Sequence, residues 1–384
     1  MSEIRKIFNR VRLAAAVAGT ALFASCSKSV SEPAFVLPLD REAPIFFCAD
    51  IENGLITKGA APVTDLSLRT SHLGLYAYWE QQNEYYSGGS ADQLYLDNQE
   101  VVYSDTEGGV DYWVCSPTAY WPLGCNLTFF AYAPYIGEQA GILDFPLREA
   151  GMPKGHFTQL TDVDKQLDLC LSTPLYDVPK GTSRVDLSFR HALTKVLFYF
   201  NLNDNYSEDT RAFMVKSLTI SNVVGENTFT FGGATGFTWN NLPRADMSSR
   251  TASYSLSLED GTLSYVALPS DESRQGESGL ARYECVNGED AGILYLLPQP
   301  MTGGSFVTVV VSAYEWDAVN SRWNEMPDSE MDPVDIYLPE TTVWDKGRTV
   351  AYSAHLDAGI PIVFSVSILD WDATTVEDVE FEHN

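Results

Sequence analysis

Positive charge is what this sequence has least of. It carries 24 Lys and Arg against 52 Asp and Glu, a formal charge of −28. Nucleic-acid backbones are bound by concentrated basic surface, so nucleic acid is excluded as a partner, and adsorption to anionic lipid is disfavoured. The negative excess supplies solubility through self-repulsion. Histidine is scarce as well: His72, His156, His191, His355 and His383 are all there are, and none stands in an HExxH pattern. No GxSxG, GxGxxG or GxxxxGKS/T occurs, which leaves no nucleophile elbow and no phosphate-cradling loop. Helical periodicity is nearly missing after residue 26, against a doubly wound sheet. Beyond the leader no apolar run reaches the ~18 residues of a membrane helix, so the body of the chain is expected to be soluble. Cysteine is limited to Cys26, Cys48, Cys115, Cys125, Cys170 and Cys285, with no CxxC and no cysteine at a linear metal-binding spacing from a histidine.

What is present points to a folded, exported β-protein. Hydrophobic residues make up 45% of the chain, enough to bury a core and to exclude wholesale disorder. The length of 384 residues exceeds what one core usually organises, so two domains are expected. Arg5, Lys6, Arg10 and Arg12 form a basic leader, and Leu13 to Ser25 an apolar segment too short to span a bilayer. Leu22-Phe23-Ala24-Ser25 before Cys26 is similar to a bacterial lipobox, so residues 1–25 read as a lipoprotein signal peptide and Cys26 as the lipidated residue. Several acyl chains on one residue suffice for stable anchoring. The mature chain of 359 residues loses four basic residues and Glu3, which takes its charge from −28 to −31. Five cysteines then remain. A Cys115–Cys125 disulfide and separate buried thiols are the two readings, and the apolar runs around these residues favour thiols.

Residues 26–44, with Pro33, Pro38 and Pro44, read as a tether. Ile45 to Ile51 is the first strand candidate, ahead of an Asn53-Gly54 turn. Leu73 to Trp79, Asn126 to Tyr135, Val185 to Arg190 and many later short segments alternate, with Gly, Pro, Asn and Asp between them. That pattern predicts an all-β chain of sandwiches. His191 to Lys195 reads as one helical turn or a bulge between two strands. Pro179 to Ser183 is the expected boundary, giving an N-terminal sandwich over 45–182 and a C-terminal one over 183–384.

Catalytic chemistry is not legible. Carboxylates abound, but no pair is singled out, and the DxD pairs Asp162/Asp164 and Asp370/Asp372 lack the rest of a calcium loop. His191, flanked by apolar residues, reads as a structural hydrogen-bonding group. The window containing Trp113, Tyr120, Trp121, Phe129, Phe130, Tyr132 and Tyr135 fits a sandwich core better than a sugar-stacking surface. No catalytic residue, cofactor or metal ligand is assigned, and no enzyme is expected.

Four segments in order carry a family resemblance. Trp113 to Pro134 (WVCSPTAYWPLGCNLTFFAYAP) resembles the YWP…FFAY segment of the Bacteroidetes fimbrillin-like (Mfa-like) lipoproteins. Val185 to Val196 (VDLSFRHALTKV) resembles that family's LxFxHxLxKV segment, and Leu294 to Pro300 its LLxPQ strand end. Trp344 to Tyr352, followed by Ile368 to Trp371, is similar to its closing pattern. The resemblance spans roughly residues 45–375. It implies two tandem transthyretin-like β-sandwiches and a subunit of type V fimbriae (pili) that is exposed at the outer membrane. Its partners would be other fimbrial subunits and a host or bacterial surface ligand. It further implies trypsin-like removal of an N-terminal segment and filling of the opened groove by a neighbour's strand. Arg41 and Lys58 flank the first strand candidate and are the candidate cleavage points. A cut at either would release or free Ile45 to Ile51. The tail from Asp372 to Asn384 reads as a last strand rather than a donor strand. The competing reading is a surface lipoprotein that captures glycans through exposed aromatics such as Trp79 or Trp316.

Overall fold

Alternating side chains organise the computed structural model, which describes residues 37–52, 65–81, 84–85, 93–107, 110–137, 142–144, 154–202, 211–233, 235–242, 244–257, 266–267, 284–287, 292–317, 319–320, 322–356 and 362–371. The chain opens with strands β1 (Leu39–Pro44) and β2 (Phe46–Ile51), then helix α1 (Asp65–Ser71). Next come β3 (Leu73–Gln81), β4 (Leu94–Glu107), β5 (Val110–Cys115), β6 (Tyr120–Pro122) and β7 (Cys125–Ala133). The first half ends with β8 (Leu143–Asp144), β9 (Lys154–Thr158), β10 (Cys170–Ser172), β11 (Leu175–Pro179) and β12 (Val185–His191). The second half begins with β13 (Thr194–Leu202), β14 (Arg211–Val224), β15 (Glu226–Phe231), β16 (Phe237–Trp239) and the short helix α2 (Arg244–Met247). Then follow β17 (Thr251–Ser257), β18 (Val266–Ala267), β19 (Glu284–Cys285), β20 (Leu294–Leu296) and β21 (Gln299–Pro300). The last strands are β22 (Phe306–Asp317), β23 (Arg322–Glu325), β24 (Val334–Tyr337), β25 (Val343–Trp344), β26 (Arg348–Leu356) and β27 (Ser365–Asp370).

The first sheet runs β10-β12-β2-β5-β4-β3-β7-β11, and β10 also pairs with β7. The sheet therefore curls into a closed ring, which leaves few unpaired edges. Its interior holds Phe47, Leu75, Trp113, Trp121, Phe129 and Phe189. Strand β12 shows why: Val185, Leu187 and Phe189 point inward, while Asp186, Ser188 and Arg190 face outward, the period of two that a strand imposes.

One glycine of this ring is fixed by contact. Gly74 on β3 stands opposite Tyr132 on β7, and a Cβ added there would fall inside the tyrosine ring. The ring has no freedom to retreat, because its hydroxyl donates to Asn98 Oδ1 at 2.8 Å and accepts from Ile136 N at 3.3 Å. Gly74→Ala is expected to cost about 1–3 kcal/mol of stability as an overpacking change, measured by urea unfolding.

The second half is a sandwich. One sheet has the order β19-β13-β26-β27 with β20 beside β13, and the other the order β17-β14-β22-β23 with β18 and β24 on its flanks. Phe198, Phe200, Leu218, Ile220, Val307, Val309 and Tyr352 fill the space between them. Strand β13 is buried on both faces. Val196, Phe198 and Phe200 enter the sandwich, whereas Leu197 and Tyr199 join Phe130, Tyr132, Phe157, Phe229 and Trp371 in a further core between the halves. A four-stranded sheet, β16-β15-β9-β8, contributes Phe157, Phe229, Phe231 and Phe237 to that core.

The halves do not part where the linker was expected. Pro179 to Ser183 forms a turn, with Thr182 N donating to Pro179 O at 3.2 Å, between two strands of the same sheet. The crossing lies later, at the buried pair Ala192 and Leu193 between β12 and β13. It is a bend between strands and not a helical turn. In return β9, with β8 paired beside it, leaves the first half to pair with β15. The end of the expected tether is also a strand: β1 pairs antiparallel with β6. Prolines are tolerated there because such an edge pairing asks few N–H groups of them.

The two halves echo each other in one respect. Strand β2 runs parallel to β12, and β13 runs parallel to β26 over nine registered pairs. Each half thus places its first long strand beside a later one. A parallel neighbour needs a crossover rather than a hairpin, so these contacts are made by residues far apart in sequence.

Candidate assembly interface

Strand β2 sits inside the first sheet, antiparallel to β5 and parallel to β12. The parallel register runs from Phe47 beside Val185 to Ile51 beside Phe189. Ile45, Phe47 and Ile51 are buried in the ring, and Phe47 meets Phe129 edge-on at 5.6 Å. Phe46 points outward, 37% exposed, and packs edge-on against Tyr112. The ends of the segment are pinned. Ile45 N donates to Ala119 O at 3.0 Å, and Glu52 N to Phe189 O at 2.8 Å. Arg190 Nε donates to Glu52 Oε2 at 2.6 Å, and Ser188 Oγ to Glu52 Oε1 at 3.1 Å.

Arg41 is exposed on β1, its guanidinium 5.5 Å from the centre of the Tyr120 ring. Asp40 beside it accepts from Lys180 Nζ and from Glu42 N, and these bonds hold its carboxyl below the usual range, the lysine contributing most. Lys58 and Cys26 lie outside the described residues, as does the tail from Asp372 to Asn384. The order of strands separates the two candidate cleavage points. Arg41 precedes β2, so a cut there leaves β2 joined to the rest of the chain through residues 53–64. Lys58 follows β2, so a cut there detaches β1 and β2 together. At the far end, β27 is the outer strand of its sheet, with Ile368 53% exposed.

Most of the aromatic window belongs to the core. Trp113, Trp121 and Phe129 line the ring, and Phe130 and Tyr132 face the core between the halves. Tyr120 and Tyr135 are half-buried. Trp79 is half-buried too and packs against the ring interior, while the side chain of Trp316 lies outside the described residues. Of the DxD carboxylates, Asp162 pairs with Lys165 at 2.6 Å and Asp370 with Arg348, each a surface contact. Among the described residues Cys48, Cys115, Cys125 and Cys170 are free thiols, and the last three are buried.

The family-like segments converge at the junction. The His191 ring stacks on Trp371, centroids 4.1 Å apart and 17° from parallel, and Tyr295 stacks on the same indole at 5.9 Å. Lys195, buried, donates from Nζ to the Trp371 carbonyl, which also accepts from Thr349 Oγ1 at 3.1 Å. His191 Nδ1 lies 3.0 Å from the Asp168 carboxylate and 3.4 Å from Cys170 Sγ. Sequence reading picked out His191, Lys195 and Trp371 one by one. It missed Asp168 and Cys170, because cysteine and histidine were compared by linear spacing. The antiparallel register sets Cys170 directly opposite His191, and that pairing supplies the proximity.

A family model described as fimbrillin-like matches residues 69–371. A fimbrial protein from Bacteroides vulgatus ATCC 8482 has a similar solved structure. It is 18% identical, with a TM-score of 0.60, and the match covers 85% of this chain and 99% of that one. A putative cell adhesion protein from Bacteroides uniformis ATCC 8492 aligns at 16% identity and a TM-score of 0.44, over 86% and 99% of the two chains. No curated protein matches the chain.

Proposed function

This chain belongs to the fimbrillin-like family, and from that premise we propose that it is a lipid-anchored fimbrial subunit that joins its neighbours by strand addition at the place of β2. The family gives it a structural, surface-fimbrial or adhesive role. In this reading Cys26 carries the acyl chains that hold the uncut chain at the outer membrane, and a cut after Lys58 releases the assembling part from them. Other fimbrial subunits are its partners, and a host or bacterial surface ligand is met at the distal end of the assembly.

One observation carries the proposal. The seat of β2 is lined on both sides by strands whose positions come from elsewhere in the chain, and its inward pockets take alternate apolar side chains. An extended segment with apolar residues two apart could replace β2, since backbone hydrogen bonds give affinity and the pockets give register. Strand β13, which holds the corresponding place in the second half, is continuous with β12 and cannot be withdrawn in this way. Of these two strands, β2 is the one that a single cut after Lys58 frees, together with β1.

Trypsin treatment of the mature protein, with N-terminal sequencing and electron microscopy, tests this. A cut after Lys58 is expected to yield ladders or filaments, and a cut after Arg41 alone is expected to leave monomers. Lys58→Ala should abolish assembly while Arg41→Ala preserves it. Monomers after complete hydrolysis at Lys58, with β1 and β2 released, would refute strand addition at this seat.

A further inference from the structure

We propose that Asp168, Cys170 and His191 form a binding site for one borderline-soft divalent cation of the zinc class, placed where the chain crosses between its halves. The three donors converge for a reason that lies in strand geometry. Cys170 opens β10 and stands opposite His191, the last residue of β12, so both side chains leave the sheet on one face. Asp168 is two residues before Cys170, and its carboxylate reaches the same point. One imidazole nitrogen, one sulfur and one carboxylate oxygen, all within 4.8 Å of one another, are the donor types that zinc takes.

The spacings suit a tetrahedral centre. Metal–donor bonds of about 2.0–2.3 Å place neighbouring donors roughly 3.3–3.7 Å apart. Here Nδ1 stands 3.0 Å from the carboxylate and 3.4 Å from the sulfur, each within a few tenths of an ångström of that spacing, and the carboxylate and sulfur lie within 4.8 Å of each other. All three residues are buried, at 4%, 0% and 7% exposure. The charge also balances: a carboxylate and a thiolate neutralise a dication. Coordination displaces the Cys170 thiol proton to solvent and leaves the imidazole proton on Nε2. A water molecule would complete the fourth position.

The surroundings are built to hold the imidazole still. Trp371 stacks on it, and Lys195 and Thr349 fix the Trp371 carbonyl. Ligating histidines are commonly oriented by such a second layer of contacts. Asp168 and Cys170 come from the ring and its approach, whereas Trp371 directly follows β27, the last described strand of the second half. A cation here would be held by first-half residues, with Trp371 of the second half packed on one of its ligands.

The test uses the full mature chain, purified without a histidine tag. Cobalt titration is expected to produce the intense near-ultraviolet thiolate-to-cobalt band, saturating at one equivalent. Zinc, added after chelation, should then displace cobalt and raise the melting temperature by several degrees. Elemental analysis of Cys170→Ser should show the equivalent lost. Because the cobalt band is read on the unsubstituted protein, a variant that fails to fold does not decide the matter. Absence of that band at saturating cobalt overturns the proposal and leaves a hydrogen-bonded triad. Metal content without the band overturns it equally, since the ion would then sit on the acidic surface.

Discussion

Trp371→Ala is expected to lower the unfolding free energy by about 3–5 kcal/mol, the range for deleting a fully buried large aromatic. The indole is 4% exposed and lies in the core between the halves. Its removal takes away the stack on His191 and on Tyr295, and it opens space around Lys195, whose ammonium lies 5.6 Å from the ring centre. A buried lysine whose surroundings loosen admits water, so the loss extends beyond the vacated volume. Trp371→Phe should be milder, about 1–2 kcal/mol, because the core keeps a ring and the indole N–H has no hydrogen-bond partner among the described residues. Urea unfolding followed by far-ultraviolet circular dichroism measures both. Equal stability of Trp371→Ala and the parent would show that the junction does not depend on this ring.

Phe47→Ala carries the second large effect, again about 3–5 kcal/mol. Phe47 is fully buried between neighbouring strands and touches Phe129 edge-on. Unlike Trp371, it belongs to a strand that the proposed assembly displaces. Its truncation should therefore act twice: the uncut protein loses stability, and the strand leaves its seat more readily once Lys58 has been cut. Faster filament growth from the cleaved variant than from the cleaved parent is the expected outcome, followed by light scattering. Slower growth would mean that the departure of β2 does not limit assembly. Phe46→Ala, one residue away but pointing outward, is the internal control and should change both quantities little.

Much of the fold was legible because strands write their period into sequence. Val185 to His191 alternates in sequence and alternates in burial. The aromatic window reads as core, and Trp113, Trp121 and Phe129 are core. His191 to Lys195 left a helical turn and a bulge between two strands both open, and the structure has two strands with a bend between them. The position of the crossing between halves was not legible. Pro179 to Ser183 has linker composition, but a hairpin-like turn within one sheet uses the same residue types. Nothing in Leu39 to Pro44 announces a strand, since its partner β6 is remote and prolines mark both tether and edge.

Composition and alternation by themselves determined an acidic, all-β chain without catalytic or nucleotide-binding motifs, and its ordered segments pointed to the family. These are properties of single residues and near neighbours, whose preferences act within a few positions. Tertiary structure alone decided the rest: that β2 lies parallel to β12, and that Asp168 and Cys170 meet His191 beneath Trp371. Each depends on which strands pair and in what register. That choice is made by burial summed over the whole chain, so no local window contains it.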